Sequence, residues 1–319
     1  MLLPSLTTLR RPASHELTPE DIFESSLGGV FVDDLQNLHG DSDSTIVYRP
    51  SNPAYQEIEL RTAYINGEEQ RRKFAHYLWN AGILMAELMG GRPKPDVVDV
   101  RPKDQGWHEN MTWEEGQWWT PAEEEQKWSV RGEKVLELGA GVGLGGIMSA
   151  IFGAEEVTIT DYPAQPILDA ITANVQKNIS PDLRRKCPID IHGHQWNVLD
   201  TPFAASHAHR YTRILAADCL WMLGEHENLA KSMAYFLSDA PEARVFVIAG
   251  FHTGRAKVVP FFEETIPEVG LEVEEIYEMD AEGRRRPWAK ERNGGREDFG
   301  ERKKWCVLAR LRRRGVQPS

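Results

Sequence analysis

The segment Val135–Gly146, "VLELGAGVGLGG", constrains this chain more than any other stretch. A short apolar run suited to a buried strand breaks into glycines at Gly139, then resumes as the apolar start of a helix. Glycine costs backbone entropy on folding, so it is placed where the chain needs left-handed backbone or where something approaches bare peptide. A strand, a glycine turn and a helix in that order leave free N–H groups at a positive helix end, a seat for an anion or polar ligand.

Beyond the glycines the chain alternates regularly. "KVLELG", "EVTITDY", "IDIHGHQW", "RILAADCLW", "RVFVIAGFH", "LEVEEIYEM" and "KKWCVLARLR" read as strands. "GLGGIMSAIFG", "PILDAITANVQKNI", "EHENLAKSMAYFLSD" and "AKVVPFFEETIPEVG" read as helices between them. The β-then-α order predicts an α/β fold with a mostly parallel sheet of seven strands and helices on both faces. The last two strands have no helix between them and are expected to pair antiparallel.

Upstream the pattern is weaker. Residues 1–70 read as a loose tail and N-terminal extension, partly irregular, with short β-type pieces in "STIVYR" and "QEIELRTAYI". Residues 71–130 hold one helix and an insertion. Phe74, Tyr77, Leu78, Ala81, Leu84, Met85 and Leu88 recur at helical spacing until "GGRPKP" stops them. Between Asp96 and Val130 lie five of the ten tryptophans, Trp107, Trp113, Trp118, Trp119 and Trp128. A disordered linker is poor in aromatics, so this stretch is expected to be ordered and to pack, over the site if the site needs a cover. Residues 131–319 form the ligand-binding domain.

Composition excludes several classes. The 319 residues carry a net charge of −12, which disfavours non-specific nucleic-acid binding. No apolar run approaches the roughly 20 residues needed to span a bilayer. Cys187, Cys219 and Cys306 stand far apart, without the spacing of a disulfide framework or a zinc site, so a cytoplasmic location and no metal are expected. The basic runs "GRRRP" and "RLRRR" read as solvated faces.

Two registers compete for the glycine turn. Gly141-x-Gly143-x-x-Gly146, with Asp161 twenty residues on, fits a dinucleotide fingerprint. Glu137-x-Gly139-x-Gly141-x-Gly143 fits the turn that binds S-adenosyl-L-methionine. Glu137 favours the second, because a carboxylate there suits a sulfonium and repels a pyrophosphate. The position of the motif after a long N-terminal region and the unbroken pair of last strands favour it too. Asp161 can hold a ribose in either case.

The combination "HYLWNAG", "VLELGAGVGL", "TDYP", "HQWNV" and "AADCLWMLGEHENL" resembles methyltransferase family 16, in its fungal branch of nicotinamide N-methyltransferase-like and elongation-factor lysine methyltransferase proteins. The resemblance covers roughly residues 74–312. It implies a class I methyltransferase fold, S-adenosyl-L-methionine as cofactor and S-adenosyl-L-homocysteine as product. It places Trp79 over the methionine end, Gly139, Ala140 and Gly141 in the turn, Asp161 on the ribose, Trp196 beside the adenine, and Ala217 at the end of the fourth strand. Tyr162 either backs the adenine or packs. Aromatic faces suit both adenine and a sulfonium cation.

For the acceptor, Asp218 at a strand's C-terminal end is the expected orienting group and Trp221 the expected wall. The family's acid–x–x–aromatic signature here reads Asp218-Cys219-Leu220-Trp221, with Trp in place of the usual Tyr or Phe. His252 in "GFHTGR" is a candidate base or an ordinary loop histidine, and His226 is expected on a helix surface. A protein lysine or N-terminal amine, on a basic or translation-related partner, suits the acidic chain. A small heteroaromatic amine and a non-catalytic cofactor-binding platform are the alternatives.

Overall fold

The computed structural model describes residues 2–11, 38–40, 44–63, 77–93 and 119–315. The alternating segments form one sheet from β1 (Lys134–Leu138), β2 (Glu156–Asp161), β3 (Ile189–Gly193), β4 (Arg213–Ala217), β5 (Arg244–Gly250), β6 (Leu271–Asp280), β7 (Arg285–Pro287) and β8 (Trp305–Arg313). Their spatial order is β7-β6-β8-β5-β4-β1-β2-β3. β1 to β5 run parallel, and β8 inserts antiparallel between β5 and β6. All seven expected strands are present. The eighth, β7, is a three-residue edge held by pairing to β6, too short and too basic to show strand periodicity.

Strand periodicity sets the two faces. Val135, Leu215, Phe246 and Ile248 point into one apolar cluster, and Leu136, Ile214, Ala216, Val245 and Val247 point into the other. The first face packs on helices α1 (Asn80–Gly90), α2 (Leu144–Ile151) and α3 (Gln165–Asn178), the second on α4 (His226–Phe236).

Several expectations are corrected. The chain between β3 and β4 holds a short helix, Pro202–His207, whose start signal is explicit: Thr201 accepts from Ala204 N at 3.1 Å, with Pro at the first helical position. The upstream helix begins only at Asn80, because Leu78–Trp79 is drawn into an antiparallel pair with Leu38–His39. Phe74 lies outside the described residues. The start of the chain is no loose tail over residues 2–11. Leu3 and Leu6 are buried, and Thr7–Arg10 pairs with Thr45–Tyr48, which pairs in turn with Ile58–Leu60. Two amides on α3 mimic a partner strand: Asn174 and Asn178 each accept from and donate to the backbone of Arg61 and Glu59.

Trp119 and Trp128 are core residues rather than a cover. Both are at most 1 % exposed. Trp119 donates to Glu87 at 3.1 Å, and Trp128 packs against Phe246 with ring centres 4.9 Å apart. Trp107, Trp113 and Trp118 lie outside the described residues.

The basic runs are paired, not merely solvated. β6 and β8 set Glu272 opposite Arg312 and Glu275 opposite Arg310, and ion pairs bridge both couples. Glu278, fully buried, gathers Arg255, Arg286 and Arg292 and pins the long loop before β8 to the sheet.

Candidate functional site

At the C-terminal ends of β1, β2 and β4 a cavity of about 240 Å³ opens. In an open parallel sheet this is where ligands bind, beside the point at which strand order reverses between β1 and β4. Trp79, Glu137, Gly139, Ala140, Gly141, Asp161, Tyr162, Trp196, Ala217, Asp218 and Trp221 all line it. His194, Cys219, Met222 and Glu225 line it too and were not anticipated. They belong to turns that come after strand ends, where no sequence periodicity marks a facing side chain.

The bend after β1 needs its glycines. Gly139, Gly141 and Gly143 have φ of 64°, 59° and 79°, in the left-handed region. At Gly139 a Cβ would also lie 2.8 Å from Cys219 Sγ and 3.1 Å from Trp196 Cζ2, so bare backbone runs directly under that indole.

The two carboxylates of the bend do different things. Glu137 accepts from the backbone N–H groups of Gly145 at 3.0 Å and Gly146 at 2.8 Å, one on each oxygen, tying β1 to the first turn of α2. Burial pushes its pKa up to about 8, against the pull of those two donors. Its expected role facing a sulfonium therefore starts from a side chain already engaged by helix donors. Asp161 accepts from Gly141 N at 2.7 Å and Tyr162 N at 2.6 Å, again one per oxygen, so it points at the bend. Burial raises its pKa to about 6. Tyr162, 39 % exposed, stands at the rim.

The opposite wall comes from the start of α1 and the end of β4, with the end of β5 behind it. Trp79 occupies the extended N-cap position of α1, not the apolar face of the helix. Its indole lies 4.9 Å from the His252 ring. Asp218 leaves β4 with φ 55°, an unusual left-handed residue that is not glycine. Its Oδ1 accepts from Gly250 N and its Oδ2 meets His252 Nε2, each at 3.0 Å. Burial pulls the His252 pKa down, but the charge and hydrogen bond of Asp218 outweigh it and leave it above the ordinary value. Asp218 and His252, two separate candidates 34 residues apart in the chain, are thus one pair. His226, expected on a helix surface, is buried and donates from Nε2 to Leu220 O at 3.0 Å, which shapes the turn that carries Trp221. Among the described residues no cluster of His, Cys, Asp and Glu is arranged to hold a metal.

Sheet order, glycine bend and the acid ending β2 together define a class I S-adenosylmethionine-dependent methyltransferase. The chain belongs to methyltransferase family 16, whose model, described as lysine methyltransferase, matches residues 61–265. It is 28 % identical over 245 residues to the protein N-terminal and lysine N-methyltransferase efm7 of Schizosaccharomyces pombe, covering 72 % of this chain and 81 % of that one. It is 31 % identical to EFM7 of Gibberella zeae over 49 % of this chain and 63 % of that one. The EEF1A lysine methyltransferase 3 of Xenopus tropicalis is 27 % identical over 46 % of this chain and 58 % of its own length.

Proposed function

We propose that this chain methylates a protein amine, a lysine side chain or an N-terminal α-amine, on a basic, translation-related partner such as EEF1A. The observation that carries the reading is the convergence, in one cavity, of the bare Gly139–Gly141 bend, the Asp161 carboxylate, the indoles of Trp79, Trp196 and Trp221, and the Asp218 carboxylate that His252 backs from outside it. The relatives' names add the acceptor class and favour a protein amine over a small heteroaromatic one. The net charge of −12 suits approach of a basic partner. Three free cysteines fit a reducing, cytoplasmic setting, and no helix among the described residues is long and apolar enough to cross a membrane.

The residues fit the cofactor on two structural counts: backbone at Gly139 that lines the cavity and has no room for a Cβ beside Cys219 and Trp196, and a buried acid in contact with the bend. S-adenosyl-L-methionine, when bound, supplies an electrophilic methyl on a sulfonium. Asp161 would accept from the ribose hydroxyls, with Trp196 and Tyr162 beside the adenine and Trp79 by the methionine end. Glu137 braces the bend by holding the first turn of α2. Asp218, with Ala217 behind it at the end of β4, orients the incoming amine, and Trp221 with Met222 shields it from water. An amine must shed its proton before it attacks. Holding nucleophile and methyl in line in a dry pocket supplies much of the rate, so no metal is needed. The test is incubation with methyl-tritiated cofactor and lysate, separated into protein and metabolite fractions, then mass mapping of labelled EEF1A. Label on a lysine or an N-terminus supports the reading, and label confined to small molecules overturns it.

A further inference from the structure

We infer that His252 is a positioning residue for the acceptor end of the site: it holds the Asp218 carboxylate in register, and its charge sets how strongly Asp218 draws an incoming ammonium. This rests on the amine-methylation reading above.

The geometry is built around that ring. Asp218 and Trp79 line the cavity, and His252 touches both from behind, through the 3.0 Å Nε2–Oδ2 contact and the 4.9 Å ring approach. The other Asp218 oxygen is taken by Gly250 N, so the carboxylate has one orientation. Gly250 closes β5 without a positive φ, so its backbone does not call for glycine. Its missing side chain has another explanation: a Cβ there would collide with the His252 imidazole. The spacing Gly250-Phe251-His252 thus clears room for an imidazole to fold back over its own strand end. Arg302, donating to Phe251 O at 3.1 Å, fixes the same turn from the C-terminal loop.

Among the described residues two charged groups act on the imidazole, Asp218 from the end of β4 and Lys303 from the helix Phe299–Lys303. With His252 neutral, the pair carries the full negative charge of Asp218 and attracts an ammonium. With His252 protonated the pair is neutral overall and the attraction falls. Asp218 holds the His252 pKa above its ordinary value, so the rate is expected to gain as rising pH neutralises the imidazole.

The experiment compares the parent chain with His252→Ala, His252→Gln, Gly250→Ala and the double variant Gly250→Ala/His252→Ala. Each is assayed for kcat and KM with EEF1A and the tritiated cofactor across pH, and for S-adenosyl-L-homocysteine affinity by calorimetry. His252→Ala is expected to lower kcat/KM for the acceptor by about 10–100-fold, while product affinity changes by less than about threefold. His252→Gln, which keeps a donor toward Asp218, should recover part of the rate and lose the histidine limb of the pH profile. The titration of the amine itself is common to parent and variants, so their ratio isolates that limb. Gly250→Ala should resemble His252→Ala, and the double variant should be no worse than either. Parent-like kcat/KM in His252→Ala at every pH, or an equal loss in product affinity, overturns the inference. If the parent labels only small molecules, the protein-acceptor reading falls, yet the same ratios on that acceptor still decide the role of His252. Should the parent label nothing, the His252 ring titration by NMR decides: a midpoint that drops in Asp218→Asn supports the pair, and an unmoved one overturns it.

Discussion

Asp161→Asn separates what the site needs from what the fold tolerates. The carboxylate accepts one backbone N–H on each oxygen. An asparagine must turn its amide nitrogen toward one of those donors, leaving that N–H unmatched at a cost of about 1–3 kcal/mol. Against this, the folded-state pKa stands at about 6, above the ordinary 3.8. The folded chain therefore holds this proton more tightly than the unfolded chain does. The contribution is full below pH 3.8 and is lost as pH rises through about 6, a difference of about 3 kcal/mol. Asparagine removes that burden, so at pH 8 the two terms nearly cancel and Tm should move by less than about 5 °C. Binding has no such compensation. Ribose hydroxyls lose a charged acceptor worth about 1.5–3 kcal/mol per hydrogen bond, so affinity for S-adenosyl-L-homocysteine should fall about 10–100-fold. Calorimetry and thermal unfolding at pH 8 read both quantities. Unchanged affinity would refute the ribose role, and a Tm loss beyond about 10 °C would refute the account of the buried charge.

The same geometry predicts three further outcomes. Product affinity in the parent should weaken as pH falls through about 6, because protonated Asp161 loses an acceptor, and calorimetry from pH 5 to 8 checks the direction. Gly139→Ala must adopt a φ of 64° and crowd Cys219 and Trp196, so it should cost about 1–2 kcal/mol of stability and at least about tenfold in product affinity. Parent-like binding would show that Trp196 does not rest on bare backbone. Glu87, buried on α1, accepts from Tyr48 OH at 2.5 Å, Ser51 N at 3.0 Å and Trp119 Nε1 at 3.1 Å, so Glu87→Ala should destabilise by about 2–4 kcal/mol. Urea unfolding measures it, and a loss under about 1 kcal/mol would mean that these segments dock without it.

Some features that the structure corrected had signals in the chain. The acids of "LEVEEIYEM" and the arginines of "ARLRRR" are complementary across an antiparallel pair, and counting register turns one solvated face into cross-strand ion pairs. Thr201-Pro202 is a readable helix start. Others had none. Nothing local distinguishes a tryptophan that covers a site from Trp119 and Trp128, which fill the core, because burial depends on which segments meet.

What the chain order determined alone was the α/β alternation, the two faces of the sheet and the glycine bend. Each rests on local physics: periodicity of two or about 3.6, and a backbone conformation that glycine reaches without strain. Tertiary structure decided the roles within the site. It turned Glu137 onto the helix N-terminus, aimed Asp161 at the bend, and joined Asp218 to His252 through the room left by Gly250. Such pairings are formed by strand ends that become neighbours only once the sheet has assembled, so their geometry is absent from any local stretch of residues.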